Sequence, residues 1–133
     1  MKALIIANGN LPARELYKTY LHQAELILCA DGGANLAFAA SINPDFVVGD
    51  LDSIEDVNKR KLGENRIIHR PGQNATDLEK TLQFALEKGV TSAVVIGITG
   101  GRTDHQVGNL NILQKFAAKM EMHTIDKSDE RGF

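Results

Sequence analysis

The chain has 133 residues, the length of one domain that buries a substantial core. Its 43% hydrophobic and 24% charged residues are ordinary globular values. A net charge of −2 argues against a nucleic-acid-binding protein, which would carry a basic patch. Cys29 is the only cysteine, so the chain cannot form an internal disulfide, which is consistent with a reducing cytoplasm. Its apolar neighbours indicate a buried thiol. We expect neither a signal peptide nor a membrane span, since no apolar stretch reaches the ~20 residues that a span needs.

Apolar runs alternate with helical patterns in chain order. The expected strands are Lys2–Ala7, Leu26–Ala30, Phe46–Val48, Arg66–His69, Ala93–Gly97 and Met122–Ile125. The helices expected after the first five strands are Leu11–Gln23, Ala34–Ala40, Ile54–Leu62, Asp77–Lys88 and Asp104–Lys119. Such alternation predicts βα units and a mostly parallel sheet. The fold class is therefore α/β: a three-layer, Rossmann-like domain with helices on both faces of the sheet.

Local patterns mark several helix starts and one boundary. Thr76-Asp77-Leu78-Glu79 and Thr103-Asp104-His105-Gln106 match the capping box, and Ser53-Ile54-Glu55-Asp56 is a looser version. The last residues are polar and charged. We therefore expect an α/β domain over 1–126 and a frayed polar tail over 127–133 that begins a linker.

Two aspartates follow the third strand, in Gly49-Asp50-Leu51-Asp52-Ser53. In an extended segment residues i and i+2 point to one side, so Asp50 and Asp52 should face each other. At ~4 Å and an effective dielectric near 20 such a pair repels by roughly 4 kcal/mol, which favours a cation between them. Gly49 removes side-chain bulk where a ligand approaches the backbone. A solvated turn with Ser53 as helix cap explains the same residues without a ligand.

Further acids follow the neighbouring strands. Asp31 comes after the second strand, Asp77 after the fourth and Asp104 after the fifth. The carboxyl ends of parallel strands meet at one edge of the sheet, where ligands bind in such folds. A shared acidic edge favours a hard cation such as Mg²⁺, bound by carboxylates together with substrate phosphates.

Glycine turns and an arginine lie at the same edge. Gly32-Gly33 and Gly100-Gly101 each precede a helix, whose N-terminal N–H groups bind anions. Arg102 is suited to clamping phosphate oxygens. Capping alone explains Asp77 and Asp104 equally well, and Gly32-Gly33 fits a tight turn. The conjunction at one edge favours a metal–polyphosphate site, although the chain has neither a Gly-x-Gly-x-x-Gly nor a Walker A motif.

Four segments of the chain, taken in order and with their spacing, resemble the motifs of one known enzyme family. They are Ala30-Asp31-Gly32-Gly33-Ala34-Asn35, Pro44–Ile54, Thr76-Asp77-Leu78-Glu79-Lys80 and Gly97–His105. In order and spacing they closely resemble thiamin pyrophosphokinases across essentially the whole chain. The resemblance implies transfer of pyrophosphate from ATP, the co-substrate, to thiamin, with Mg²⁺ as the metal.

The resemblance also implies roles for individual residues. Asp50, Asp52 and Asp77 would bind Mg²⁺ and position the triphosphate, with Thr76 contacting the same region. Arg102 would stabilise the transferred group, and Asp104 would orient Arg102 or substrate. The cofactor-binding residues expected beside them are Asp31, Gly32, Gly33, Gly49, Gln73, Asn74, Gly101 and Arg102.

Two departures from the family keep alternatives open. Gln73-Asn74 stand where the family usually has a charged pair, and the family carries a second, β-rich domain that helps to form the thiamin pocket and the dimer. We expect a homodimeric, cytoplasmic full-length enzyme whose partners are ATP and thiamin, with no nucleic acid and no membrane. The alternatives are an Mg-ATP-binding module without turnover and a pyrophosphotransferase or kinase that acts on another alcohol.

Overall fold

A computed structural model describes residues 1–72, 74–99, 103–126 and 129–133, with the backbone alone at 103–108 and 129–130. The strands in these ranges are β1 (Lys2–Ile6), β2 (Leu26–Ala30), β3 (Phe46–Gly49), β4 (Ile67–His69), β5 (Ser92–Ile96), β6 (Glu121–Asp126) and β7 (Asp129–Gly132). The helices are α1 (Arg14–Gln23), α2 (Gly33–Ala39), α3 (Asp56–Leu62), α4 (Asp77–Glu87) and α5 (Thr103–Ala117). A short 3-10 helix, Glu64–Arg66, precedes β4.

One sheet contains the seven described strands in the order β4-β3-β2-β1-β5-β6-β7. Its first six strands pair in parallel, and β7 pairs antiparallel with β6. The chain moves outward from β1 to β4 and then returns to place β5 on the other side of β1. This reversal is a topological switch point, where open α/β sheets bind ligands. The predicted, mostly parallel sheet is confirmed.

Apolar side chains fill both faces of the sheet. On one face Leu82 and Phe116, from α4 and α5, belong to the cluster that contains the strand residue Leu28. On the other, Tyr17 and Ala37, from α1 and α2, belong to a second cluster with neighbouring strand residues. The predicted three layers are therefore present. Cys29 is fully buried in the second cluster, and burial raises the pKa of its thiol far above the ordinary value, so the expected structural thiol is confirmed.

The predicted helix starts have different outcomes. Thr76 caps α4 as expected, because its Oγ1 accepts the N–H of Glu79 at 3.2 Å. The helix predicted from Ile54 instead begins at Asp56, after Glu55, so the interpretation of Ser53 as its cap is wrong. The Ser53 and Ile54 N–H groups donate to Asp31 instead, at 3.1 and 2.9 Å. A contact with a distant side chain thus outweighs the local capping pattern.

The expectation of a frayed tail over 127–133 is also wrong for its final part. Asp129–Gly132 form β7, whose residues pair with His123–Asp126. Charged residues are common on an edge strand because they discourage pairing with other chains. The domain boundary expected at 126 stays a prediction.

Helix α4 begins at the edge of the sheet where the parallel strands have their carboxyl ends. It packs against β2 and β3, and Phe84 meets Phe46 edge to face with ring centres 5.2 Å apart. The helix therefore begins directly above the carboxyl ends of these strands. Within the ranges described above, the helices all fall short of the length and apolarity needed to cross a bilayer.

Candidate functional site

Four carboxylates meet where β2, β3 and β4 end. One oxygen from each of Asp31, Asp50, Asp52 and Asp77 lies within 4.8 Å of the others, and we call this group the carboxylate cluster. Asp31 is buried, Asp77 is half-buried, and Asp50 and Asp52 are exposed. The structure thus brings together the three residues predicted as metal ligands and adds Asp31, which was expected at the same edge of the sheet but as a cofactor-binding residue.

Sheet register explains the position of Asp31. Ala30 pairs with Val48, and the N–H of Asp31 continues the ladder by donating to the Val48 carbonyl at 2.9 Å. Asp31 therefore lies beside the residues that lead into Asp50. The sequence placed Asp31 at the same edge as Asp50, but its direct contact with the loop after β3 could not be predicted, because strand order was not deducible.

Gly49 makes room for a protein side chain. A Cβ at this position would lie 2.6 Å from Asp77 Oδ1, and the residue has φ +143°. The N–H of Asp50 donates to the same oxygen at 3.3 Å. The missing side chain therefore allows the first turn of α4 to reach the β3 loop, where the sequence suggested only an approaching ligand.

Asp50 and Asp52 lie close together for a different reason from the predicted one. Leu51 between them has φ +69°, so the segment turns and is not extended. The N–H of Asp52 donates to Asp50 Oδ1 at 3.4 Å. The proximity of the pair is confirmed, but a left-handed turn produces it in place of strand alternation.

Proton affinities differ across the carboxylate cluster. Burial, assisted by hydrogen bonding to Asp52, raises the pKa of Asp31 to about 6, against the lowering effect of the Ser53 and Ile54 N–H groups. Burial also raises the pKa of Asp77, and the nearby charge of Asp50 acts in the same direction. Hydrogen bonding with Asp52 lowers the pKa of exposed Asp50. Burial and neighbouring carboxylates thus move these pKa values in opposite directions, as groups in functional sites often do.

Lys80 is a neighbour of the cluster that the sequence reasoning missed. It is 9% exposed, its Nζ lies 4.0 Å from Asp77 Oδ1, and it donates to the Gly72 carbonyl at 2.7 Å. The available signal was its position three residues after Asp77, on the same helix face. Lys80 thereby connects the loop before α4 to the carboxylate cluster.

Other predicted site residues have defined surroundings. Gly32 and Gly33 are buried, and a Cβ on them would lie 2.4 Å from Asn8 Nδ2 and 2.3 Å from the Ile6 carbonyl oxygen. These contacts match the tight-turn interpretation, and their nucleotide-binding role stays a prediction. Thr76 is exposed and its hydroxyl caps α4, while Asn74 is exposed on the preceding loop.

Four predicted site residues lie wholly or partly outside the described part of the chain. Gln73, Gly101 and Arg102 lie outside the described residues. The backbone of Asp104 lies in the first turn of α5, and its side chain is not described. Their roles stay predictions.

The donors of the carboxylate cluster indicate which cation fits. All four side chains offer carboxylate oxygen, the ligand type that Mg²⁺ prefers, and the cluster includes neither thiolate nor imidazole. Asp31 already accepts backbone N–H groups, whereas exposed Asp50 and Asp52 leave one side open to water or phosphate. The donor set therefore fits Mg²⁺ that keeps part of its coordination shell for a substrate.

Comparisons with known proteins agree on one family. A family model described as "Thiamin pyrophosphokinase, catalytic domain" matches residues 17–125. Thiamine pyrophosphokinase 1 of Arabidopsis thaliana is 35% identical over 138 residues, covering 86% of this chain and 51% of the relative. The thiamine pyrophosphokinase of Bacillus subtilis is 32% identical over 114 residues, covering 83% and 53%.

A solved structure gives the same likeness in three dimensions. The crystal structure of thiamine pyrophosphokinase from Bacillus subtilis superposes with a TM-score of 0.79 at 30% identity, covering 98% of this chain and 63% of that one. The chain spans about half the length of the curated relatives that it matches.

Proposed function

The chain belongs to the thiamin pyrophosphokinase family, with its match in the catalytic domain, and from this premise we propose that it is the catalytic, nucleotide-binding part of an enzyme that transfers pyrophosphate from ATP to thiamin. The products would be thiamin diphosphate and AMP. The observation that carries the proposal is the carboxylate cluster at the carboxyl edge of the sheet.

Mg²⁺ is the metal that we assign to the cluster, with Asp50, Asp52 and Asp77 as its ligands. Asp31 would support them from the buried side, since its oxygens also accept the Ser53 and Ile54 N–H groups. When bound, Mg²⁺ neutralises charge on the phosphate oxygens of the nucleotide. The exposed carboxylates hold the open side of the site, where a triphosphate has access.

The transfer step follows from the chemistry of the two substrates. The thiamin hydroxyl oxygen bonds to the β-phosphorus of ATP, the bond from that phosphorus to the oxygen bridging to the α-phosphorus breaks, AMP leaves with that electron pair, and the hydroxyl proton passes to solvent. Such transfers depend mainly on positioning and electrostatic stabilisation. We assign positioning of the triphosphate to the Asp50–Asp52 turn and the first turn of α4, including Thr76.

Residues from the β5–α5 connection complete the proposal. Arg102 would stabilise charge on the transferred group, with Asp104 and Gly101 beside it. Gly32, Gly33, Gln73 and Asn74 would line the nucleotide side, while Asp31 and Gly49 would act there through the carboxylate cluster that they support. Support for these roles comes from the sequence motifs and from the place of α5 at the same edge of the sheet.

A second candidate is an Mg-ATP-binding module that does not turn over alone. The observation that favours it is the coverage of only about half of each curated relative. A third candidate is a pyrophosphotransferase or kinase that acts on another alcohol, since the described cluster concerns the phosphate side of the reaction. In the full-length enzyme we propose a homodimer in the cytoplasm.

An assay of AMP release tests the proposal directly. The 133-residue chain is incubated with ATP and Mg²⁺, with and without thiamin, beside the Asp52→Asn and Asp56→Asn variants. We expect thiamin-dependent AMP that Asp52→Asn abolishes and Asp56→Asn retains, because exposed Asp56 lies on α3 outside the cluster. Binding of Mg-ATP without AMP would favour the module, and AMP release with a different alcohol alone would favour the third candidate.

A further inference from the structure

Two side chains from the β2–α2 segment hold the backbone that follows Asp52. Asp31 accepts the N–H groups of Ser53 and Ile54 at 3.1 and 2.9 Å. Asn35 donates from Nδ2 to the Ser53 carbonyl at 3.0 Å and accepts the Glu55 N–H on Oδ1 at 3.0 Å. Four backbone groups of the three consecutive residues Ser53, Ile54 and Glu55 are thus bound by two side chains, Asp31 and Asn35.

The amide of Asn35 has only one orientation that satisfies its neighbours. Its Oδ1 faces two donors, the Glu55 N–H and the Asn58 Nδ2 at 2.7 Å, while its Nδ2 faces a carbonyl. A flipped amide would set N–H groups against N–H groups. The Ser53 carbonyl and the Glu55 N–H therefore fix the orientation of Asn35, and Asn58, which is only 6% exposed, adds a buried hydrogen bond to it.

The held segment needs such support. Residues 53–55 connect the Asp50–Asp52 turn to α3 without regular structure, and the turn contains Leu51 at φ +69°. The carboxylates of the cluster repel one another, and this repulsion favours movement of the loop after β3 away from Asp31 and Asp77. Asn35 opposes that motion without adding another negative charge.

We propose that Asn35 is a positioning residue for the carboxylate cluster: through Ser53 and Glu55 it fixes the turn that carries Asp50 and Asp52 in the orientation that binds Mg²⁺. This inference rests on the proposed function of the cluster. Asp31 has two tasks, since it belongs to the cluster and also binds the loop. Asn35 binds the loop and Asn58 but does not belong to the cluster, so its substitution separates positioning from the loss of a ligand.

The test compares Asn35→Ala with wild type in two measurements on the 133-residue chain. Amide hydrogen exchange without metal reports on the segment, and we expect faster exchange at Ser53, Ile54 and Glu55. Calorimetric titration with Mg²⁺ alone should show affinity lower by on the order of tenfold to a hundredfold, as for other residues that orient metal ligands. Asn58→Ala, which removes the hydrogen bond from α3 to Asn35 but keeps both bonds from Asn35 to the loop, should give a smaller change in the same direction.

Asn43→Ala is the matched control. Asn43 accepts a hydrogen bond from Arg66 at 2.7 Å, but it lies before β3, at the opposite end of the strand. It should leave both measurements at wild-type values. Unchanged exchange at residues 53–55 in Asn35→Ala, or unchanged Mg²⁺ affinity in a chain whose wild type binds Mg²⁺, would overturn the role of Asn35 alone. A wild type that binds no Mg²⁺ would overturn the proposed function, and the role of Asn35 in metal binding with it.

Discussion

The ammonium group of Lys80 lies 4.0 Å from Asp77 Oδ1 and donates to the Gly72 carbonyl at 2.7 Å. The side chain is 9% exposed, so its charge is neutralised mainly by protein groups. Among the described residues, Lys80 is the cation that forms an ion pair with Asp77. Lys80 therefore partly balances the carboxylate cluster when metal is absent.

Replacing Lys80 by methionine should destabilise the metal-free protein. The change removes a buried charge-assisted hydrogen bond and a neutralising partner of Asp77, at a cost of about 1–3 kcal/mol. Urea denaturation in a chelator measures the free energy of unfolding. Lys115→Met is the control, because Lys115 pairs with Glu79 at 2.7 Å on the surface, where such a pair contributes at most about 1 kcal/mol. Equal losses in the two variants would contradict the role of Lys80.

Gly49→Ala should weaken Mg²⁺ binding, because the new Cβ would lie 2.6 Å from Asp77 Oδ1 and displace that carboxylate. We expect a loss of affinity of roughly tenfold or more, measured by calorimetry. Gly89→Ala is the matched control, since Gly89 also has positive φ, +89°, but its Cβ would meet nothing within 4 Å. Both variants should lose stability through backbone strain, and only Gly49→Ala should lose Mg²⁺ affinity. Unaltered binding by Gly49→Ala would show that Asp77 does not need this space.

The pH dependence of stability should report the raised pKa of Asp31, which is about 6 in the folded state against an ordinary value of 3.8. Between these values the folded protein binds more protons than the unfolded chain, so this group's contribution to stability is lost as pH rises from about 4 to 6. Compared with Asp31→Asn, metal-free wild type should therefore become relatively less stable over this range. Saturating Mg²⁺ should reverse the trend, since it favours the ionised carboxylate.

Chemical denaturation of both proteins at several pH values, with and without Mg²⁺, provides the measurement. Taking the difference from Asp31→Asn removes the contribution of the histidines, which titrate in a similar range. Parallel curves for the two proteins in the absence of metal would mean that Asp31 ionises normally.

Arg102→Ala should lower kcat by on the order of 10² to 10³ if Arg102 stabilises the transferred group. Steady-state AMP release with thiamin, Mg²⁺ and ATP measures the change. Arg66→Ala is a suitable control, because Arg66 donates to Asn43 Oδ1 at 2.7 Å, before β3 begins and at the opposite end of the strands from the site. An unchanged kcat for Arg102→Ala would leave Arg102 as a loop residue.

Local patterns predicted most elements of this fold, because β1, β2, β3 and β5 are nearly continuous apolar runs and α4 starts with a capping box. They did not predict strand order, since pairing is decided by packing between distant segments. For the same reason Asp31 was placed at the acidic edge but not among the metal ligands, because the sequence did not show that its strand pairs with β3. Ser53 shows the opposite case, in which a capping pattern is overruled by hydrogen bonds to Asp31.

The β7 strand was missed because Asp129, Glu130 and Arg131 are not typical strand residues. Their pairing with β6 depends on the sheet edge that β6 offers, which a single sequence does not reveal. Asp50 and Asp52 were correctly placed together, but the turn at Leu51 has no signature in its side chain.

The most direct measurement of the central claim is a calorimetric titration of the 133-residue chain with ATP, in Mg²⁺ and in EDTA. If the carboxylate cluster binds the metal that holds the triphosphate, wild type should bind ATP only with Mg²⁺, and Asp50→Asn and Asp52→Asn should lose this binding. ATP binding of equal strength in EDTA, or undiminished binding by both variants, would contradict the assignment of the cluster as an Mg²⁺–triphosphate site.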